Sequence, residues 1–403
     1  NRPVPCAAKG FPVVVKTAAA LSPPERQAVA TLAVIYAVRM LGLFLLLPVL
    51  ALHAGSLPGG TPLLAGLAVG AYGLAQALMQ IPFGVWSDRL GRRPLIVAGL
   101  LLHIGGSALG YFAATAWALV IARTVQGLGA VSGPVMALLA DRTRAASRTR
   151  AMAFIGISIG ISFVVSLVAG PLLAGAIGVA GIFALIGGLG LVALALIVFA
   201  VPKEAPREIG QGRKPWRRVL TRRLLPHYSG IFVLHLSLTA TFIAVPHALR
   251  DVHGMAAADH WQFYLAVFAS SLLLTVPMLL WSERSNRPAR TSVIGGLLLA
   301  AAQVALALCY LNFMAMAVAV VIFFGAFNFL EARLPSSLSE AAGEDARGAA
   351  LGVFSTCQFA GAFAGGILGG GLLGSAAGIP GVFLLAGLAA AGWLTVAGRS
   401  ESP

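Results

Sequence analysis

The sequence predicts an all-α membrane protein of twelve transmembrane helices, arranged in two related halves of six. Three observations predict this fold class: a very apolar composition, long uninterrupted apolar runs, and a loop sequence that occurs twice. Of the 403 residues, 59% are hydrophobic and only 10% are charged, whereas soluble proteins carry roughly a quarter charged residues. Such a chain could not cover its surface with polar groups in water, so a lipid bilayer is its expected surrounding.

The apolar runs have the length of membrane-spanning helices. A helix needs roughly 20 mostly apolar residues to cross about 30 Å of hydrocarbon, and Val179–Val201 is a run of this kind. Strands of a transmembrane barrel would be about half as long and would alternate apolar with polar residues. We therefore expect twelve helical spans, numbered in chain order, at residues 29–51, 62–83, 94–113, 117–140, 151–174, 179–201, 228–249, 261–281, 291–311, 314–334, 348–372 and 379–397.

One connection is much longer than the others and divides the spans into two sets of six. It is polar and rich in arginine and lysine. The residues before the first span are interpreted as an extension, because Lys16 interrupts their short apolar run. The expected organisation is an N-terminal extension at 1–28, a first half at 29–201, a linker at 202–227 and a second half at 228–397.

Lysine and arginine are concentrated in every second loop. The even-numbered loops hold 3, 4, 8, 3 and 2 of them, 20 in all, whereas the odd-numbered loops hold only Arg250. Basic residues in short loops stay on the cytoplasmic side of a membrane, so both termini and the linker are expected in the cytoplasm. The net charge of +15 then follows from membrane topology, and a nucleic-acid partner is not expected.

The duplicated loop indicates an internal repeat. WSDRLGRRP follows span 2 and WSERSNRPA follows span 8, at an offset of 195 residues, which is close to half the chain. Spans 5 and 11 are both rich in glycine and correspond at nearly the same offset. Two parallel halves related by an axis along the membrane normal are typical of transporters, in which the substrate site lies near the midplane between the halves.

Three motifs resemble those of the major facilitator superfamily, most closely its YajR-type members in the bacterial inner membrane. The resemblance extends from about Leu21 to Gly398. The loop after span 2 resembles motif A, span 4 resembles motif B of proton-driven antiporters, and span 5 resembles part of motif C. The residues are, in that order, Gly84-x-x-x-Asp88-Arg89-x-Gly91-Arg92-Arg93, Arg123-x-x-Gln126-Gly127-x-Gly129-Ala130 and Gly170-Pro171-x-x-x-Gly175.

The resemblance implies secondary active transport by alternating access, in the bacterial inner membrane. Motifs B and C favour proton-coupled export of a small amphipathic or drug-like compound, and proton-coupled uptake of a small metabolite is the alternative. The expected partners are the substrate, protons and membrane lipid, with a monomeric chain and no cofactor or metal. YajR-type proteins continue into a soluble C-terminal domain, and the sequence given stops at Pro403, so no function of such a domain is expected from these residues.

The motif A loop is predicted to form a conformational latch. Gly91 would allow a sharp turn, and Asp88 is placed just past a helix end, where an acid can meet an arginine or the positive end of another helix. The resemblance implies that Asp88 and Arg92 pair with an acid at the end of span 4, which here is Asp141, and that the latch holds the outward-open state. The remaining motif residues are Gly84, Arg89 and Arg93.

The alternative for this loop is that its arginines serve only to set topology, although topology requires neither Asp88 nor Asp141. In the second copy Glu283 and Asn286 replace the aspartate and the glycine. A weaker latch is expected there, because fewer charges remain.

Four residues are candidates for substrate or proton coupling. Arg39 and Arg123 lie inside spans 1 and 4, where a charge costs a few kcal/mol and needs a partner. Each is read either as a functional group or as part of a structural pair between helices. Glu331 is the one acid inside an apolar span, and it could carry the coupling proton or form an interfacial ion pair with Arg333. His235 is the second candidate, because imidazole titrates near neutral pH.

Several uncharged residues could line a cavity or bond between helices. They are Gln76, Gln80, Gln126, Asn328 and Gln358. Gly170 and Pro171 are expected to allow close packing and a bend, with Gly175 completing that motif. A membrane-embedded enzyme or a receptor is not expected, because the sequence has no HExxH, no GxSxG, no paired intramembrane carboxylates and no loop long enough to be an output domain.

Overall fold

A computed structural model describes residues 20–201, 219–285 and 288–399, and these residues are almost entirely helical. Within them, eleven helical stretches are long and apolar enough to cross a membrane. One of these, Ala146–Ala200, contains two spans, because Gly178 interrupts it with φ 70° and ψ 169°. Gly343 separates spans 10 and 11 in the same way, with φ 72° and ψ 170°. The predicted all-α membrane fold is confirmed.

The helices follow the predicted order. Spans 1 and 4 each consist of two helices, and spans 5 and 6, like spans 10 and 11, are successive parts of one long helical stretch. The helices are Pro23–Phe44, Leu50–Ser56, Pro62–Leu90, Arg92–Tyr111, Ala116–Leu128, Ser132–Asp141, Ala145–Ala195, Leu225–His247, His260–Arg284, Pro288–Cys309, Phe313–Leu373 and Gly378–Arg399. Short π-helical turns at Leu196–Ala200 and Ala248–Val252 extend spans 6 and 7.

Several helices extend beyond the predicted spans. Span 1 begins at Pro23, inside the predicted extension; span 2 continues to Leu90, and span 10 reaches Gly343. The predictions were based on apolar length, whereas a helix can continue past the hydrocarbon as long as its backbone bonds are made. Residues 1–19 of the extension, residues 202–218 of the linker, and Asn286 and Arg287 of the second motif copy lie outside the described residues.

Two breaks interrupt spans that were predicted to be continuous. Span 1 stops being helical between Phe44 and Leu50, and span 4 is broken between Leu128 and Ser132. Pro48 lies within the first break and Pro134 shortly after the second, and a proline ring clashes with the carbonyl four residues before it. These breaks place backbone polar groups inside the N-terminal half, where side chains can bind them.

The two halves meet through glycine backbones at one end of the bundle. The side with the arginine-rich loops is called here the basic side, and the other the opposite side. Towards the opposite side, span 2 packs on span 11: a Cβ added to Gly66 would lie 2.2 Å from the carbonyl oxygen of Gly366, and a Cβ on Gly370 would lie 2.4 Å from that of Pro62. We call these four residues the glycine seam.

An aromatic cluster joins the halves near the middle of the bundle. The ring of Phe163 in span 5 lies 5.8 Å from Phe268 in span 8 and 6.4 Å from Phe324 in span 10. Towards the basic side, spans 2 and 11 are less tightly packed. A Cβ at Gly84, Gly348 or Gly352 would meet no atom within 4 Å. The halves are therefore sealed on the opposite side and diverge towards the basic side.

Candidate functional site

Arg39 lies at the centre of the N-terminal half and is completely buried. Its Nη2 donates to the carbonyl of Gly129 over 2.8 Å and to Gln76 Oε1, its Nε donates to the same carbonyl over 3.2 Å, and its Nη1 reaches Ser132 Oγ at 3.4 Å. Gly129 ends the first helix of span 4, where the backbone carbonyls carry partial negative charge. Arg39 therefore stabilises the break in span 4, as a structural partner between helices.

Replacing Arg39 with methionine is expected to destabilise the protein. The change leaves the Gly129 carbonyl and the Gln76 amide oxygen buried without these donors, at about 1–3 kcal/mol for each group. The unfolding temperature of the purified protein should fall by roughly 5 °C or more. Arg150→Met, which removes an exposed arginine, is the control. An Arg39→Met protein as stable as the wild type would contradict this structural role.

Arg123 is 2% exposed and has few partners. Its Nη1 donates to Gln126 Oε1 over 2.8 Å, and its guanidinium carbon lies 4.7 Å from the centre of the Tyr72 ring. The Nε of Arg123 and the hydroxyl of Tyr72 are both buried without a hydrogen-bond partner. The Arg39 guanidinium carbon lies 5.8 Å from the same ring. Tyr72 is thus a residue of this site that sequence analysis missed.

The predicted glutamines in this half bond both within and between helices. Gln76 Nε2 donates to Gln80 Oε1 over 3.2 Å within span 2, and Gln126 Nε2 of span 4 donates to Ser107 Oγ of span 3 over 2.8 Å. All three glutamines are buried. Close packing requires the glycine of motif B at position 127, because a Cβ on Gly127 would lie 2.4 Å from the Tyr72 carbonyl. Span 4 can therefore approach span 2 closely enough to bring Arg123 over Tyr72.

His235, Gln358 and Glu331 form a second polar cluster, in the C-terminal half. Gln358 Nε2 lies 2.8 Å from His235 Nε2 and donates to Glu331 Oε1 over 3.3 Å. His235 Nδ1 lies 3.3 Å from the carbonyl of Ile231 and 3.9 Å from Glu331 Oε2. Spans 7, 10 and 11 thus bring three predicted residues together.

The helix that carries Glu331 extends well beyond the end of the apolar run of span 10. It continues for twelve residues past Glu331 to Gly343, which is about 18 Å. The side chain of Glu331 is 38% exposed, while Oε2 is buried without a hydrogen-bond partner. The hydrogen bonds described for Glu331 lead to Gln358 and not to Arg333. One turn earlier, Asn328 has a buried amide nitrogen with no partner in the described part of the chain.

The motif A residues meet the end of span 4 on the basic side. Arg92 Nη1 donates to Asp88 Oδ1 and, over 2.8 Å, to Ser87 Oγ, while its Nε lies 3.4 Å from Asp141 Oδ2. Gly91 has φ 96°, a value that favours glycine. Span 2 continues to Leu90, so Asp88 belongs to its last helical turn. The prediction that Asp88 lies just past the end of this helix is wrong.

The other motif A arginines have different positions. Arg93 donates from Nε to the carbonyl of Ile197 over 3.1 Å and from Nη2 to that of Val198, so it binds the end of span 6. Arg89 is exposed. The structure therefore joins the predicted latch residues Asp88, Arg92 and Asp141 in one cluster, and gives Arg93 a separate packing role.

Glu25 forms a polar cluster with Arg144, Ser147 and Ser22 that the sequence analysis did not predict, because it placed Glu25 in the N-terminal extension. Its carboxylate accepts from Arg144 Nη2 over 2.9 Å, from Ser147 Oγ over 2.7 Å, and from the backbone nitrogens of Arg144 and Ser22, each over 2.8 Å. This cluster connects the start of span 1 with the start of span 5. The spacing of Ser22 and Glu25 is that of a capping box, which is the sequence signal that could have located it.

The motif C glycines contact two different neighbours. A Cβ on Gly170 would lie 2.6 Å from the carbonyl of Leu45 in the break of span 1, and a Cβ on Gly175 would lie 2.8 Å from Ala258 of the other half. Pro171 stays within a continuous helix. In this conformation the motif thus provides close packing, both within the first half and between the halves.

Comparison with known proteins gives one consistent family. Residues 32–329 match the family model of the Major Facilitator Superfamily. The chain is 40% identical over 388 residues to the inner membrane transport protein YajR of Escherichia coli (strain K12), covering 95% of this chain and 85% of YajR. It is 27% identical over 276 residues to the multidrug resistance protein MdtH of Yersinia enterocolitica, covering 64% of this chain and 65% of MdtH.

Solved structures show the same architecture. The crystal structure of a bacterial homolog to the human lysosomal transporter Spinster, in an inward-facing and occupied conformation, matches with a TM-score of 0.77. The alignment covers 94% of this chain and 98% of that chain at 16% sequence identity. At this identity the likeness concerns the fold alone.

Proposed function

Because the chain belongs to the Major Facilitator Superfamily, a family of membrane transporters and not of enzymes, we propose that it exports small amphipathic or drug-like compounds in exchange for protons. The chain is a multi-pass membrane transporter, and the finer assignment rests on the contacts between the halves and on Glu331. We further propose that the basic side faces the cytoplasm, since 20 of the loop arginines and lysines lie there.

Alternating access is supported by the packing of spans 2 and 11. The glycine seam closes the opposite side by contact of backbone on backbone, and the same two spans diverge at Gly84 and Gly352 on the basic side. With the basic side in the cytoplasm, this conformation is open inward. Rocking of the halves about the midplane would open the glycine seam and close the basic side.

Proton coupling is supported by the surroundings of Glu331, the single observation that carries the proposal. The carboxylate is partly exposed inside the bundle, its described hydrogen bond comes from the neutral amide of Gln358, and no arginine or lysine in the described residues forms an ion pair with it. A carboxylate without a fixed cationic partner can gain and lose a proton as its exposure to water changes. His235 Nδ1 lies 3.9 Å from Glu331 Oε2, so the imidazole could exchange a proton with this carboxylate.

Export, as opposed to uptake, is supported by the resemblance of spans 4 and 5 to antiporter motifs. The similarity to MdtH, whose name describes multidrug resistance, also favours export. The expected substrates are small and amphipathic, because the aromatic cluster of Phe163, Phe268 and Phe324 stands at the middle of the bundle where a substrate would pass.

Proteoliposomes with an acidic interior test the direction of coupling. A panel of amphipathic compounds is added outside, and the interior pH is followed with a fluorescent amine. An antiporter moves the compound inward and releases protons, so the pH gradient should collapse only with active protein. If no compound of the panel dissipates the gradient more than it does in protein-free liposomes, proton-coupled export is not supported.

Proton-coupled uptake is the second candidate, and one observation favours it. The arginines lie in the N-terminal half and Glu331 in the C-terminal half, so a substrate and a proton could be bound together. Compound loaded inside the acidic liposomes would then leave with protons, whereas an antiporter would retain it. The same preparation therefore separates the two directions.

Replacing Asp88 with asparagine is expected to slow transport about tenfold with expression retained. The change removes the negative charge with which the latch is proposed to contact the other half when the basic side closes. A charge-assisted contact of this kind is worth about 1.5–3 kcal/mol, and its loss in one state only shifts the balance between conformations. Arg92 holds Asp88 and Asp141 together while the basic side is open, so the latch would act through contacts with the other half as that side closes. Asp259→Asn, on the opposite side, is the control. Wild-type rates for Asp88→Asn would contradict the latch.

A further inference from the structure

The centre of the N-terminal half is positively charged without a compensating acid. Arg39 and Arg123 are both buried there. The acids of residues 20–201 are Glu25, Asp88 and Asp141, and each lies at the basic end of its helix. A buried charge without a counter-charge is unfavourable in a medium of low dielectric constant. The two buried positive charges would therefore be stabilised by a negative charge that the described part of this half does not supply.

The two arginines differ in how much of this charge is already balanced. Arg39 has hydrogen bonds from three of its nitrogens, and two of those nitrogens bind the carbonyl end of a helix. Arg123 has one described hydrogen bond, to Gln126, and its buried Nε has no partner. Arg123 is thus the residue whose donor and charge are both available.

A neighbouring group favours an anion beside Arg123. The hydroxyl of Tyr72, whose ring packs on the guanidinium, is buried with no partner and can donate a hydrogen bond. Arg123 and Tyr72 thus offer two buried donors, one of them charged, and neither donor has an acceptor among the described residues.

We propose that Arg123 and Tyr72 form a binding site for an anionic group, a carboxylate, sulfonate or phosphate. As a deepening of the proposed function, the inference assigns this charged group to the transported compound, whose apolar part would face the aromatic cluster. Arg39 takes no direct part and keeps span 4 broken. The site and Glu331 then lie in different halves, so the anion and the proton have separate binding residues.

The test is ligand-dependent thermal stability of the purified full chain, with no proton gradient present. The probes are aromatic carboxylates and sulfonates, such as 1-naphthoate and 1-naphthalenesulfonate, each paired with its uncharged amide. Sodium phosphate and sodium chloride at equal ionic strength show whether a free inorganic anion suffices. The expected result is a rise of the unfolding temperature with at least one anion and no rise with its amide. Equal shifts for acids and amides, or no shift with any anion, would overturn the proposal.

Variants at Arg123 test whether this residue causes the anion-dependent rise of the unfolding temperature. Arg123→Gln should abolish the anion-dependent shift, Arg123→Lys should keep part of it, and Arg150→Gln, an exposed control of equal charge change, should keep all of it. A shift that survives in Arg123→Gln overturns the assignment. Because this assay measures binding without a gradient, charge-selective binding combined with absent proton coupling would reject the proposed function alone.

A ligand-free measurement gives a second test. Arg123→Met leaves only the Gln126 amide oxygen without its donor and at the same time removes a buried charge that has no counter-charge. The two effects oppose each other, so this variant is expected to unfold at about the temperature of the wild type, in contrast to Arg39→Met. A clear loss of stability in Arg123→Met without ligand would mean that Arg123 has a structural role, and would contradict its assignment as a binding residue.

Discussion

Replacing Glu331 with glutamine is expected to abolish transport driven by a proton gradient while leaving substrate exchange intact. Glutamine has nearly the shape of a protonated glutamate and can still accept the hydrogen bond from Gln358, so the helices should pack as before. It cannot release a proton, however, and the cycle then has no group that links the change in access to proton movement. Gradient-driven accumulation should fall by roughly tenfold or more, to the level of inactive protein.

The measurement compares two assays on the same proteoliposomes. Accumulation under an imposed pH gradient reports coupling, and counterflow with equal pH on both sides reports the conformational cycle. Glu340→Gln is the matched control, because Glu340 lies in the same helix but is exposed near its basic end. Glu331→Gln should show no accumulation driven by the pH gradient, but should retain counterflow at equal pH. Gradient-dependent accumulation retained in Glu331→Gln would show that another group carries the proton.

The twelve-helix fold could be predicted because its signals are local. Each span is a run of apolar residues of fixed length, and the two copies of the motif A loop give the internal repeat. Helix ends were less predictable, since hydropathy marks the hydrocarbon boundary and the helix itself continues. Span 10 reaches Gly343 although its apolar run stops near residue 334, so Glu331 lies twelve residues before the end of its helix and close to the end of its apolar run.

The helix breaks could not be predicted from proline alone. Pro48 and Pro134 lie in or just after the breaks of spans 1 and 4, yet Pro82, Pro171 and Pro277 lie in helices that continue. The clash of a proline with the preceding turn is the same in each case, so packing decides the outcome. In span 4 the buried guanidinium of Arg39 binds the carbonyl of Gly129 that the break releases, and this partner is 90 residues away in sequence.

The composition of the two polar clusters was only partly predictable. The sequence supplied Arg39, Arg123, His235 and Glu331, because charged or titratable groups inside apolar spans are rare. Which of them meet depends on the rotation of each helix about its axis, which near-uniform apolar spans do not reveal. Tyr72 was missed for a related reason: a tyrosine in a membrane span is unremarkable until an arginine is found over its ring.

Replacing Gly366 with alanine is expected to shift the protein towards the state that is open on the opposite side, and to slow transport strongly. The added Cβ would lie 2.6 Å from the carbonyl oxygen of Gly66 and 2.8 Å from the Cα of Gly70. These are backbone atoms of another helix and cannot rotate away as a side chain could. The halves must therefore separate locally, and overpacking of this kind costs about 1–3 kcal/mol.

That cost falls on one conformation only, because the contact joins the two halves and not the helices within a half. The equilibrium should change by about fivefold to more than a hundredfold, while expression and helix content stay unchanged. Spin labels at Ser56 and Ser375, exposed on the opposite side in different halves, would report the separation in a cysteine-free background. Their distance distribution should move to longer distances in Gly366→Ala.

The control is Gly105→Ala, since a Cβ at Gly105 meets no atom within 4 Å. Gly66→Ala should reproduce the effect of Gly366→Ala, because its Cβ would lie 2.2 Å from the carbonyl of Gly366 across the same contact. The double variant should add little beyond either single one, as the halves are already apart. Unchanged distances and wild-type transport in both single variants would mean that the glycine seam is not the gate on this side.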